Sequence, residues 1–427
     1  MPSHTSKVVI AGAGFAGITV ARTLLSRMPS RQRKSLELLV VSNRNYHLFT
    51  PLLYQVAAGL SDPYHVIQPI RQWTAESGAF FLEATVRGVD LEKRALLTDR
   101  GRIGFDYLVL CLGSETNDFG IPGVNERALF LKKLGDGEAI RNRLLECMER
   151  AADPSLSDKK RKSLLSVAIV GGGATGVELA GAIADYVLML NRYYRSARLK
   201  ELARLYLVEA EKSLVPGLDG RVSEICNNVL KRKGVEVLLG KHVSKAGKAG
   251  LEMADDSFID ASTLIWTAGI MPNPVISSLE GKGVEKKKGR IVVSRQLMLP
   301  FFPGVYVIGD CAYVDDGTGK PVPATADSAA QEGRFAGRHI AAAIMGWKKI
   351  ADRNFRYRDR GTMLSLGRFE GVAVFGSGMV IDGFLGWAIW RFVHIALIST
   401  LRSKLGVLFD WTFAIFYSRT ISRTDYD

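Results

Sequence analysis

Two glycine loops set the limits on what this chain of 427 residues folds into. The first reads Gly12-Ala-Gly14-Phe-Ala-Gly17, between the apolar run Val8-Val-Ile-Ala and a stretch of helical periodicity. The second reads Gly171-Gly-Gly173-Ala-Thr-Gly176, between Val167-Ala-Ile-Val and another helical stretch. In a turn of this spacing between strand and helix, the first glycine makes the tight turn and the second lets the backbone approach a pyrophosphate. The third lets the helix pack against the strand. The free N–H groups at the helix start then face the anion, assisted by the helix dipole. A single glycine turn is common in unrelated proteins, but two in this context specify two dinucleotide-binding units. The expected fold class is α/β, with two Rossmann-like dinucleotide-binding domains.

Further runs close these units. Tyr107-Leu-Val-Leu-Cys-Leu-Gly113 and Leu264-Ile-Trp-Thr-Ala-Gly269 are apolar strands that stop at a glycine, and Val305-Tyr-Val-Ile-Gly309-Asp310 ends in an acid. The expected domains are a flavin-binding domain in two parts (residues 1–128 and 286–350), a nicotinamide-binding domain (129–285) and a C-terminal region (351–427). An acid at the end of the second strand of such a unit binds the adenosine ribose hydroxyls and repels a 2′-phosphate. Glu209 supplies it in the second unit, which predicts NADH over NADPH, unless Glu209 is an ordinary strand-end carboxylate. In the first unit Ser42 stands where the acid is expected, a weaker ribose partner. Asp310 is placed to accept hydrogen bonds from a ribityl chain, or to cap the next segment. After it, 323–337 reads as a helix capped by Thr325 or Asp327, with its N-terminus suited to a flavin O2.

Lys and Arg number 57 against 43 Asp and Glu, an excess that attracts anions of any kind. Scattered basic residues without a recognition motif speak against nucleic acid. Residues 1–7 lead directly into the first strand, so no export signal is expected. Cys111, Cys147, Cys226 and Cys311 are far apart in sequence, which argues against a disulfide framework, a metal site or a dithiol redox pair.

Together these stretches resemble the two-dinucleotide-domain flavoproteins with a glutathione-reductase-like fold, and most closely the type II NADH dehydrogenases, which are non-pumping NADH:quinone oxidoreductases. The most specific match is residues 45–59, Asn45-Tyr-His-Leu-Phe-Thr-Pro-Leu-Leu-Tyr-Gln-Val-Ala-Ala-Gly59. The resemblance implies tightly held FAD, NADH as hydride donor and a membrane quinone as acceptor. It implies FAD contacts at Gly12, Gly14, Gly17, Ser42, Val86, Gly309, Asp310 and Ala329, and NADH contacts at Gly171, Gly173, Gly176, Glu209 and Gly269. Glu178 is implied near the nicotinamide and flavin, in positioning or proton supply, or is simply a glutamate favoured by the helix dipole. His47 and Tyr46, beside Pro51, Leu52 and Leu53, are either tunnel lining or packing. The family's quinone-side motif A-Q-x-A-x-Q-x-G appears here as 326–333, with Asp327 for the first glutamine and Gln331 for the second. An anion at Asp327 opposes the charge that develops on reduction, unless it is protonated or turned away. A soluble flavoprotein reductase with another acceptor and a flavin-binding redox sensor are the competing readings.

The tail 384–401 is mostly apolar. Arg391, His394 and Arg402 share one helical sector opposite Leu385, Ile389, Phe392 and Ala396, so it is expected to lie in a membrane interface rather than cross it. Trp387, Trp390 and Trp411 are expected at headgroup level, and Lys404, Arg419 and Arg423 on anionic lipid. With the family resemblance, this implies peripheral attachment on the cytoplasmic side of the inner (cell) membrane. Packing on the protein's own core or on a second copy, as a homodimer, is left open.

Overall fold

The structure, a computed structural model, describes residues 5–315, 321–376 and 378–423; residues 1–4 of the leader reading and 424–427 of the C-terminal region lie outside the described residues. The elements that matter here are, in chain order, β1 (Ser6–Ala11), α1 (Phe15–Arg27), β2 (Leu36–Ser42), β3 (Phe80–Glu83), β4 (Tyr107–Leu110), β5 (Leu129–Phe130), β6 (Ser166–Val170), α2 (Ala174–Leu190), β7 (Arg204–Glu209), β8 (Val235–Leu239), β9 (Thr263–Trp266), β10 (Val305–Val307), α3 (Ala326–Met345), β11 (Thr362–Ser365), β12 (Gly371–Val374), β13 (Val380–Asp382), α4 (Gly383–Leu397) and α5 (Leu401–Phe416).

The chain divides into two units. The first comprises residues 1–47, 69–115 and 270–358; the second comprises 48–68, 116–269 and 359–427. Each is built on a five-stranded parallel sheet, ordered β10-β4-β1-β2-β3 in the first and β5-β9-β6-β7-β8 in the second. In both, the strand that enters the glycine loop is central and both its neighbours come later in the chain, which opens a crevice at its carboxyl end. Both central strands are near-continuous β-branched and alanine runs, buried from Val8 to Ala11 and from Ser166 to Val170, as strands covered on both faces must be. The two loops are tied to their sheets by equivalent bonds: Gly12 N donates to Val41 O and Gly171 N to Val208 O, both at 2.8 Å.

In the first unit α3 lies on α1 through Gly333 and Gly337, where an added Cβ would stand 2.6 Å from Ala16 O and 2.7 Å from Val20 O. In the second, β11–β13 form an antiparallel sheet carrying α4. The tail differs from the single stretch expected over 384–401. It is two helices, broken at Ile398–Thr400, where Thr400 caps α5 by accepting from Ser403 N. Among the described residues no helix is long and apolar enough to cross a membrane.

The apolar side expected of the tail does face outward: Leu385, Phe392 and Ala396 are exposed, Phe392 to 78 %. The placement of its aromatic and basic residues is corrected. Trp387, Trp390 and Trp411, expected at headgroup level, are buried within the unit. Of the charged stripe, Arg391 and His394 turn inward with them while Arg402 stays exposed: the His394 ring stacks on Trp390 at 3.9 Å and burial pushes its pKa down to about 4. Arg419, expected on lipid, spends one nitrogen, Nη1, on the carbonyls of Ala58 and Ala182. Helical periodicity defines two faces without saying what packs on the basic one, and indole rings that can stack on a guanidinium or imidazole settle it here.

Candidate functional site

The three glycines of each loop have three different surroundings, the same three in both units. Gly12 and Gly171 have φ of 115° and 108°, which favours glycine. A Cβ on Gly17 or Gly176 would lie 2.0 or 1.8 Å from the carbonyl oxygen of Gly12 or Gly171, so only glycine lets the helix start this close to the strand. Gly14 and Gly173 are different: a Cβ there meets nothing within 4 Å. Both are N-caps without a side-chain hydrogen bond, and neither helix has an acid in its first turn. In each loop the helix N-terminus is therefore open and without a side-chain cap, and both fit the pyrophosphate of a dinucleotide.

In the first unit the loop is braced from behind by His47, whose Nδ1 lies 3.0 Å from Ala13 O and whose ring meets Phe15 edge-on. Burial is the main reason its pKa falls to about 4, so the ring is a neutral donor. Of the two roles left open for His47, bracing is the one with observed contacts. Ser42 ends β2, its hydroxyl accepting from Arg44 N, and Val86 is buried at the start of a strand in the same unit. Asp310 accepts from Ser114 Oγ at 2.5 Å. Gly309 N–H donates to Glu332 Oε2 at 2.6 Å. Glu332 is buried in mid-helix, and its pKa is pushed up to about 8, first by desolvation and further by Asp310, against the pull of the Gly309 N–H.

Sequence reasoning missed Glu332, although Ala329, Gly333 and Ala336 line the buried side of α3 and their spacing puts Glu332 there too. Ala329 itself is buried, its Cβ within van der Waals range of a Cβ added at Gly309. Thr325, one of the two expected caps, closes the helix by accepting from Ser328 N. Asp327 accepts from Gln331 Nε2 at 2.6 Å, one turn along, and Gln331 is fixed in turn by the backbone of Arg358. The carboxylate that stands for the motif glutamine is thus tied to the second motif residue.

In the second unit Glu209 closes over the loop: Oε2 accepts from Gly172 N at 2.5 Å and Oε1 from Glu211 N at 2.8 Å. Gly269, with φ of 112°, follows β9, and a Cβ there would stand 2.7 Å from the Phe119 ring. Glu178 lies in α2 two residues past Gly176 and is buried. Its Oε1 accepts from Ser365 N at 3.0 Å. The Trp390 indole N–H is near enough to favour the charged form but falls short of hydrogen-bond geometry. Desolvation outweighs both and lifts the Glu178 pKa to about 8, so the group holds its proton at neutral pH. Leu52, Leu53 and Tyr54 are buried in this unit, where the Tyr54 hydroxyl accepts from Gln55 Nε2. All four cysteines are buried free thiols with raised pKa values, which removes the thiolate that disulfide chemistry needs.

The family model for pyridine nucleotide-disulphide oxidoreductases matches residues 6–333. Among curated proteins, the chain is 27 % identical over 447 residues to an internal alternative NAD(P)H-ubiquinone oxidoreductase A1 of Solanum tuberosum mitochondria, covering 98 % of this chain and 88 % of the relative. It is 29 % identical over 430 residues to a type II NADH:quinone oxidoreductase of Mycobacterium tuberculosis, covering 98 % and 90 %. Among solved structures, NDH2 of Plasmodium falciparum in complex with NADH superposes with a TM-score of 0.89 at 20 % identity, covering 98 % of this chain and 100 % of that one. The last likeness establishes the fold.

Proposed function

The chain belongs to the pyridine nucleotide-disulphide oxidoreductase family, and on that premise we propose that it is an FAD-dependent NADH:quinone oxidoreductase that does not pump protons. The observation that carries this reading is the pair of open cradles, one per unit, in a chain whose thiols are all buried. One cradle suits a resident dinucleotide and the other an exchangeable one, and no cysteine is exposed to relay electrons as a thiolate. Relatives that match over nearly the whole chain are named as quinone reductases, which supports the acceptor.

The Gly12–Gly17 loop, Ser42, Val86 and Asp310 would hold FAD, which when bound would supply hydride-accepting and electron-transferring chemistry. Glu332 accepts from the N–H of Gly309 and so fixes the turn that presents Asp310. The N-terminus of α3 would offer positive potential to negative charge developing on reduction, diminished by Asp327 in its first turn, which Gln331 Nε2 holds. NADH is held by the Gly171–Gly176 loop, with Glu209 on the ribose and Gly269 leaving room beside it. The overall reaction takes up one proton besides the hydride, and Glu178, protonated at neutral pH and linked to Ser365 N, is the group to supply it. The outward apolar faces of α4 and α5 seat the protein on the membrane that holds the quinone, on its cytoplasmic side.

Stopped-flow spectroscopy tests the whole scheme. The purified protein should be yellow, bleach rapidly with NADH and recover rapidly with a short-chain quinone. Fast bleaching with slow recovery would favour a reductase for a different acceptor, and slow bleaching a redox sensor. In Glu178→Gln, bleaching by NADH should be nearly unchanged while quinone recovery slows by about 10²-fold, the lower range for losing a general acid. Equal slowing of both phases would make Glu178 a packing residue.

Steady-state kinetics tests Glu209. A 2′-phosphate brought against this carboxylate meets a like charge at a cost of several kcal/mol. NADH should therefore be preferred over NADPH by about 10²-fold or more in kcat/KM, and Glu209→Gln, which keeps an acceptor for Gly172 N, should erase most of that ratio. An NADPH preference in the unmodified enzyme would remove Glu209 from the ribose site.

A further inference from the structure

The second unit holds a small pocket lined by three arginines, Arg368, Arg391 and Arg419, together with Tyr54, Trp387 and Trp411. The Arg391 guanidinium lies between two indoles, 4.0 Å from the Trp387 ring centre and 4.6 Å from that of Trp411. Arg368 and Arg419 spend part of their donors on backbone carbonyls. Among the described residues none of the three makes an ion pair, and no carboxylate lines the pocket. Of the nearby acids, Asp185 accepts from Lys233 Nζ at 2.6 Å and from the backbone N–H of Arg368 at 2.5 Å, so its charge offsets that of Arg419 only in part, and Glu178 is neutral. Burial first, and then repulsion from Arg419 and Arg368, pulls the Arg391 pKa down to about 10 despite the nearby Tyr54.

Like charges gathered at a partly desolvated site are unfavourable unless an anion neutralises them, and guanidinium forks match phosphate oxygens. The enclosed space is about 30 Å³, a single water's share, so it accepts an oxygen of a charged head and not a quinone ring. Its Trp387, Trp411, Ala414 and Ile415 walls belong to α4 and α5, the helices whose outward side carries Phe384, Leu385, Phe392, Phe409 and Phe416. A ligand with an anionic head and apolar chains matches both features.

We propose that this pocket takes one phosphate oxygen of an anionic phospholipid, whose headgroup sits at the pocket mouth and whose acyl chains lie along the exposed side of α4 and α5. The proposal rests on the membrane-surface reading of those helices, and the two are tested separately by co-sedimentation of the full FAD-loaded chain. Vesicles of phosphatidylcholine alone test the surface reading, since they engage only the apolar face. Vesicles with one third phosphatidylglycerol test the pocket. Arg391→Gln and, as a safer exposed variant, Arg368→Gln should each reduce the preference for phosphatidylglycerol about fivefold while leaving phosphatidylcholine binding unchanged. Arg402→Gln removes the same charge from the surface of α5 outside the pocket and should cost less. Inorganic phosphate at millimolar concentration should leave the tryptophan fluorescence unchanged.

The lipid pocket is overturned if the preference survives both pocket substitutions, or if Arg402→Gln costs as much as they do, since the attraction is then diffuse. Phosphate quenching that disappears in Arg391→Gln also overturns it, because the site then takes a soluble anion. Absence of binding to any vesicle removes the surface reading and the lipid source together.

Discussion

Gly14→Val should give a folded, colourless protein without NADH oxidation, and Gly173→Val a folded, yellow one whose KM for NADH is raised about 10²-fold or more. The two substitutions are chemically identical and sit at equivalent places in two equivalent loops, so the difference between them reads out which cradle holds which dinucleotide. Neither site has an atom within 4 Å of the added Cβ, and both residues have the extended backbone that valine accepts. Folding is therefore spared, and the isopropyl group fills the space where phosphate oxygens would meet the helix N–H groups. Losing two charge-assisted hydrogen bonds of about 1.5–3 kcal/mol each corresponds to roughly 10²–10⁴ in affinity. Gly17→Val and Gly176→Val are the contrast: their Cβ atoms would stand 2.0 and 1.8 Å from backbone oxygens, so they should unfold the loop rather than block it. The assignment is checked by far-ultraviolet circular dichroism, the flavin spectrum and steady-state NADH kinetics. It fails if Gly14→Val stays yellow or if the two valine variants behave alike.

The glycine loops were legible in the sequence because their requirements are local. A positive φ, a close strand–helix approach and an open face each demand glycine whatever the rest of the chain does, and three such demands at fixed spacing have few other causes. Glu209 was legible for a similar reason, since it ends the strand next to the loop it closes over. Glu332 was not, because its chemistry comes from a partner 23 residues earlier, the N–H of Gly309, and from burial that only the α1–α3 contact creates. The tail shows the other limit. Its amphipathic division and outward apolar side were readable, but the inward packing of its basic residues depends on aromatic rings of α4 and α5 closing over Arg391, a tertiary event without a periodic signal. The break between those helices did leave one, the Thr400 cap with Ser403 three residues on.

The same buried groups predict how stability varies with pH. Glu178 and Glu332 have folded pKa values raised to about 8, and His47 and His394 have theirs lowered to about 4. A buried carboxyl of this kind keeps its proton when the unfolded chain has lost it, so each glutamate erodes stability as pH rises from about 4.5 through 8. A buried neutral imidazole does the reverse: the unfolded chain takes up a proton that the folded one refuses, so each histidine erodes stability as pH falls from about 6.5 through 4. Each group contributes a slope of about 1.4 kcal/mol per pH unit, an upper bound for sites that relax. Between about pH 4.5 and 6.5 two rising and two falling slopes oppose each other, and stability should be nearly flat. From about 6.5 to 8 only the glutamates act, and stability should fall by as much as roughly 4 kcal/mol. Denaturant titrations of the FAD-loaded protein across this range check the shape. Glu332→Gln and Glu178→Gln each remove one source of the alkaline decline and should each recover about half of it, with Glu332→Gln acting on the first unit and Glu178→Gln on the second if the units melt separately. A decline above pH 6.5 that neither glutamine variant changes would mean that both carboxyls ionise in the folded protein, and Glu178 would then have no proton to give.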